Sequence, residues 1–434
     1  MPRFAVLALA LATIPLWAAP IDLNHEAIRY AAAPVNDPVA QLGRDLDSQK
    51  VRLRYDRAKG YLPALLEALG VPVESQMLVF SKTSFQASRI NATSPRAIYF
   101  SDRVAVGFVH GGEVLEIAAQ DPRQGTVFYT LDQDPALAPS FVRRDDACLQ
   151  CHLNGATSDV PGLVIRSVYP EPTGMPLFQA GGFISDHRSP IEQRWGGWFV
   201  TGQHGSQRHM GNAFARDRQN PSELDTSDSL NRRELPLMVR RDYLSPHSDI
   251  VALLVAEHQF RAMNLITRLN FETRLALHQR DLMARVFGEP SAESAASAQR
   301  RIRQQADELL EYLLFVGEAP LAAPIQGSSR FAEVFEKSGP ADSRGRSLRQ
   351  LHLRSRLFRY PLSYLVYSPA FHNLPPEALG YLSKRLAELL AAPVEEGKYA
   401  RLSAEDRRNI LEILAATRQE LPGLLVAALP VRQP

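Results

Sequence analysis

The only two cysteines of this 434-residue chain stand three positions apart, and a histidine follows the second at once: Cys148-Leu149-Gln150-Cys151-His152. A turn of helix brings positions i, i+3 and i+4 onto one face, so two thiols and one imidazole project together. Two thioether bonds to porphyrin vinyl groups and one bond from imidazole to iron use that geometry. The spacing therefore predicts one covalently attached haem c, with Cys148 and Cys151 as attachment points and His152 as proximal ligand of the iron. The rival uses fit less well. A thioredoxin-like dithiol calls for a βαβ setting, and a thiolate zinc site needs further ligands that no other cysteine can supply.

The N-terminus points to export. Arg3 precedes an unbroken apolar run from Phe4 to Trp17, and the chain turns polar at Asp22. That run has the length of a signal-peptide core and is short for a membrane span. Residues 1–19 are read as a signal peptide and the mature chain as periplasmic, where an idle dithiol would be oxidised. Cutting after Ala18 or Ala19 places the large Leu16 or Trp17 at the minus-three position, and an uncleaved anchor is the rival reading. No later stretch is apolar enough to span a membrane, so none is expected in the mature chain. Lys plus Arg number 49 against 47 Asp plus Glu, a balance that gives no case for a nucleic-acid partner.

The pattern along the chain predicts an α+β protein: an N-terminal β-rich haem-binding domain over 20–215, a linker over 216–248, and an α-helical C-terminal domain over 249–434. Short β-branched and aromatic runs at 77–80, 97–100, 104–110, 114–118 and 126–131, separated by turn residues, read as antiparallel sheet. A short helix covers 62–69 and ends at Gly70. Two more strands, 163–169 and 175–183, flank the turn Glu171-Pro172-Thr173-Gly174, and Ser189-Pro190-Ile191-Glu192 has the form of a capping box. Residues 216–248 are polar and aperiodic. Beyond them the stripe Val251, Leu254, His258, Ala262, Leu265, Leu269 marks a long helix over 249–287. Further helices are expected at 301–316, 376–391 and 404–417, the last capped by Ser403.

The five-residue motif resembles that of c-type cytochromes. Longer stretches, Ala97-Ile98-Tyr99-Phe100, Val127-Phe128-Tyr129-Thr130-Leu131, 185–212 and Arg356-Leu357-Phe358-Arg359-Tyr360-Pro361, make most of the mature chain similar to large single-haem cytochrome c domain proteins of environmental bacteria. Only the haem motif brings a known chemistry, so the resemblance implies a cofactor and not a reaction.

Five residues are candidates for the sixth iron ligand. His204 and His209 rank first, in a segment rich in glycine that holds Trp195 and Trp198, because flat rings and backbone without Cβ atoms can approach a macrocycle closely. Met175, between Gly174 and Pro176, resembles the Met-Pro ligand of small cytochromes. His187 and His258 follow, the latter on the apolar stripe of the long helix. Arg143, Arg144, Arg166, Arg194 and Arg208 are candidates to pair with haem propionates. The leading expectation is single-electron transfer with a redox partner protein. An enzyme acting on peroxide at an open sixth site and a haem-bearing binding or sensory subunit are the alternatives.

Overall fold

Side chains that alternate across residues 77–132 build a sheet whose two faces serve two different cores. The computed structural model describes residues 21–226, 229–288, 292–393 and 397–429. The expected signal peptide lies outside them. Strands β1 (Met77–Val79), β2 (Arg96–Phe100), β3 (Val104–Val109), β4 (Val114–Asp121), β5 (Gly125–Asp132) and β6 (Phe141–Arg143) form a fully antiparallel meander. One face carries Leu78, Tyr99, Val106, Ile117, Tyr129 and Leu131, and is covered by the short helices α1 (Pro38–Asp47) and α2 (Leu62–Ala68). The other carries Met77, Ile98, Phe100, Ala105, Ala118 and Phe128, and merges with the core of the helical half.

The Cys-Leu-Gln-Cys-His motif follows β6 as one turn of helix, α3 (Leu149–His152). Next come β7 (Ile165–Val168) and β8 (Gly182–Ser185), a hairpin paired from Ile165↔Ser185 to Val168↔Gly182. The expected strand over 175–183 is mostly absent, because Phe178–Ala180 turns as a 3-10 segment. The hairpin's turn ends at Gly174, where φ is +84° and a Cβ would lie 2.4 Å from the Phe80 carbonyl oxygen, so only glycine lets the tip dock there. A two-residue strand, β9 (Trp198–Phe199), then adds to the edge of the sheet beside β1.

The described residues of the polar stretch 216–248, expected as a linker, pack on the body. The stretch contains a short helix, α4 (Leu237–Arg240), and buries Leu235, Val239 and Tyr243 on the first face of the sheet. The Gln76 amide donates to the carbonyls of Ser245 and His247 at 2.8 and 2.6 Å. Three well-spaced apolar residues suffice to tie such a strap down, too few to create a periodic signal.

The long helix appears where expected, as α5 (Ile250–Phe287), with the Asp249 carboxylate capping it at the Val251 N–H (2.7 Å). From Ile250 to Phe260 it is buried all round. Helix α6 (Ala292–Leu313) starts nine residues before the expected 301, because the alanine-rich run before that position is a good helix former. The short α7 (Phe331–Lys337) and α8 (Pro369–His372) follow, then α9 (Pro376–Ala391) and α10 (Ala404–Ala416) at their expected places, and α11 (Gly423–Ala428). Ser403 and Asp406 form a capping box at α10. The architecture is α+β, with the sheet in the N-terminal half and helices in the C-terminal half. Among the described residues no helix is long and apolar enough to cross a membrane.

Candidate functional site

Helix α3 is a single turn, closed by N–H bonds from Cys151 (3.2 Å) and His152 (3.0 Å) to the Cys148 carbonyl. Both thiols are free, Cys148 half-buried and Cys151 exposed. Burial, followed by the charge of Glu116, pushes the Cys148 thiol up to about 11.

His152 is fixed on three sides. Its ring packs on that of Phe128, with centroids 4.9 Å apart. Its Nδ1 lies 2.8 Å from the Gly162 carbonyl oxygen and so carries the ring hydrogen, while the Gly162 N–H returns a bond to the His152 carbonyl at 3.0 Å. Nε2 has no partner among the described residues. Burial lowers the basicity of the imidazole and keeps it neutral, with a lone pair on Nε2. The carbonyl itself is anchored. Asn264 of α5 accepts from the Leu163 N–H (3.2 Å) and donates to its carbonyl (2.8 Å), and a Cβ on Gly162 would stand 2.1 Å from the Asn264 Oδ1.

Beside the motif, part of the second sheet face is left uncovered by the helices. Ile98 and Gly107 pair across β2 and β3, and Gly107 faces Glu116 on β4. Glu116 is bound by Arg96 (2.8 Å), Gln86 (3.0 Å) and Ser84 (3.1 Å). Those bonds and the guanidinium overcome its burial and hold the carboxyl below the usual range. Four large apolar side chains of the segments 82–86 and 175–184 stay exposed. Phe85 lies between Ser84 and Gln86; Ile184 stands opposite Arg166 in the hairpin; Met175 and Phe178 lie beyond the tip, whose Gly174 carbonyl accepts from the Lys82 N–H (2.8 Å).

The structure brings the histidine candidates together in two pairs and joins neither to His152 by any hydrogen bond or ring contact among the described residues. His204 donates from Nδ1 to the Gln207 carbonyl (2.8 Å) and accepts the Asn231 N–H at Nε2 (3.0 Å). His209 accepts the Gly211 N–H at Nδ1 (3.0 Å), which leaves its hydrogen on Nε2, 3.3 Å from His204 Nε2. Both lone pairs are therefore engaged, inside a core shared with Trp195. His187 and His258 meet through their Nδ1 atoms at 2.9 Å, and His258 Nε2 contacts the Ser363 hydroxyl at 2.7 Å. His187 Nε2 is buried without a partner. Met175 alone is exposed, at 46%.

Of the arginines, Arg194 is buried in an ion pair with Glu257 (2.9 Å) and is spent there. Arg143 binds Asp145 and the Tyr30 carbonyl, each at 2.7 Å, and Arg144 binds the Thr130 hydroxyl at 3.0 Å. Arg166 and Arg208 are exposed. Sequence reasoning missed Gly162, Asn264, Arg96 and Glu116. Glu116 did leave a signal, as a charge set among Leu115, Ile117 and Ala118 in an otherwise apolar strand. Among the described residues no group of three or more His, Cys, Asp or Glu is arranged to hold a metal ion by itself. No protein-family model, curated protein or solved structure matches this chain.

Proposed function

We propose that the chain is an exported c-type cytochrome that holds one haem through Cys148, Cys151 and His152 and passes single electrons to and from a partner protein. The observation that carries this reading is the His152–Gly162 bond. A metal-bound histidine characteristically donates its other ring N–H to a carbonyl or carboxylate, which fixes the tautomer and aims the free nitrogen at the metal. Here that arrangement occurs on the one helical turn that also bears two free thiols. The exposed Phe85, Met175, Phe178 and Ile184 support it too, since large apolar side chains left in solvent are what a binding surface uses.

When bound, the haem supplies an iron that changes valence by one electron. The chain's own part is to hold and shield it. Cys148 and Cys151 would tether the ring, His152 would present Nε2 in a fixed direction, and Arg166, exposed on β7, would meet a propionate by a charge-assisted bond. For the sixth position we propose Met175, because its thioether is exposed and makes no hydrogen bond, whereas His204 and His209 must each break one to offer a lone pair.

Two measurements test the proposal. Haem should stay with the denatured protein through acid-acetone extraction and give the pyridine haemochrome of two thioether links; complete extraction would sink the reading. Oxidised wild type should be low-spin, and Met175→Leu should turn it high-spin while H204A and H209A leave the ligand in place. A wild-type protein that is high-spin, binds carbon monoxide readily and turns over peroxide would replace the carrier by the enzyme.

A further inference from the structure

Glu116 is a charge placed where a strand would ordinarily carry an apolar residue. On β4 the next side chain along the same face is Ala118, and Ala118 stands opposite Phe128, the ring on which His152 packs. Two residues of strand cover about 7 Å, which sets the scale of the gap between the Glu116 backbone and that imidazole's support. The carboxylate is kept there by three donors from two other segments, Ser84 and Gln86 from the loop after β1 and Arg96 from β2. Gly107 stands opposite on β3, where a Cβ would lie in ordinary contact with Glu116, 3.4 Å from its Cβ and 3.6 Å from its Oε2. Glu116 and Arg96 keep side-chain exposures of only 19% and 17%, so solvent screens them little.

We propose that Glu116, positioned by Arg96, Gln86 and Ser84, sets the reduction potential of the iron held by His152. The inference rests on the haem reading above. Its physics is simple. A fixed negative charge near a haem iron, little screened by solvent, favours the ferric state, which carries one more positive charge than the ferrous. Both motif residues feel this charge, since Glu116 acts on Cys148 and on His152 alike. The other charges facing them are Arg96 on β2, Arg144 after β6, Asp146 before α3 and Arg166 on β7. Asp146 is exposed, which leaves Glu116 as the carboxylate in the shielded position. Arg96 offsets part of its charge, so the pair is a balance, and removing either member tips it in a known direction.

The test is a spectroelectrochemical titration of the full-length holoprotein. Glu116→Gln keeps shape and the hydrogen-bond acceptor but removes the charge, and its potential should rise. Arg96→Gln, which leaves Glu116 without its cation, should lower it. Glu116→Asp should fall between wild type and E116Q. A merely structural role would disturb the Soret band and spin state, and these should match wild type in E116Q. Equal potentials in wild type, E116Q and R96Q, with intact spectra, would overturn the proposal. If E116Q does not fold, R96Q alone decides by the sign of its shift. A haem lost to acid-acetone would instead overturn the cytochrome reading, so the two failures are distinct.

Discussion

A histidine ring has two nitrogens, and what one is bonded to decides what the other can do. His152 gives Nδ1–H to a backbone carbonyl and has no partner for Nε2 among the described residues, whereas His204 and His209 spend their nitrogens on Gln207, Asn231, Gly211 and each other. The Cys-Leu-Gln-Cys-His spacing was legible because it is local. The occupation of the other rings was not, because their partners are backbone groups delivered by folding, 27 residues away in the case of Asn231. Buried neutral histidines have a measurable consequence. Burial depresses His209 and His258 to about 3 each, below the unfolded value of about 6.5. The unfolded chain therefore takes up protons first as pH falls. Their contribution to stability is complete above about pH 6.5 and declines as pH drops toward 3, by about 1.4 kcal/mol per unit for each ring. Glu257, pushed up to about 7 by burial against the pull of Arg194, works in the opposite sense, its contribution lost as pH rises from about 4.5 through 7. Burial likewise depresses His187 and His204 and raises Asp249 and Glu318, so these four rings stand against three carboxyls; the urea midpoint should climb between pH 4.5 and 6.5, and the climb should be shallower in His209→Gln. A midpoint flat across that window would show that the buried rings do not control acid stability.

Helix α5 organises the molecule at the scale of elements. Its start is a joint: the Asp249 carboxylate accepts from the Val251 N–H and from both the N–H and hydroxyl of Ser329, all at 2.7 Å, and Thr201 bridges to the same residue. The strand that leads out of the sheet, the helix and the 327–329 turn thus meet at one buried carboxylate. Asp249→Ala should cost about 2 kcal/mol, and Asp249→Asn less because it still caps the helix. Farther along, Leu269 is fully buried, and Leu269→Ala should cost about 3 kcal/mol by urea denaturation. A loss under 1 kcal/mol at both positions would mean that α5 is not central to stability. The helix and its apolar stripe were legible from spacing alone. That Glu257, Gln259 and Asn264 are also buried was not, since polar side chains at those positions look like a solvated face until their partners Arg194, Ser101 and Leu163 are known. Likewise β6 and β9, at three and two residues, are too short for alternation to reveal and exist because longer neighbours offer an edge.

At the scale of the whole molecule, the sheet and the helices share a core, and the strap 216–248 is laced to the sheet. Arg216 and Arg218 are exposed and open to trypsin. Cleavage there should leave two fragments that co-elute in gel filtration until denaturant is added. An N-terminal fragment that elutes alone with an unchanged spectrum would restore the picture of independent domains. The α+β class and the order of sheet before helices were readable from the change of period along the chain. The shared core was not, because one face of the sheet gives the same alternation whether it meets its own helices or those of a later segment. The clamp of Asn264 on the Gly162–Leu163 backbone also has a bearing on time. The carbonyl that orients His152 is held by a residue made more than a hundred positions later, so the thiols leave the ribosome well before the histidine can be aimed. Until α5 docks, the motif is a pair of thiols beside an undirected ring; afterwards the ring has one orientation. A chain halted before residue 264 would carry every atom of the motif and still be unable to point its imidazole.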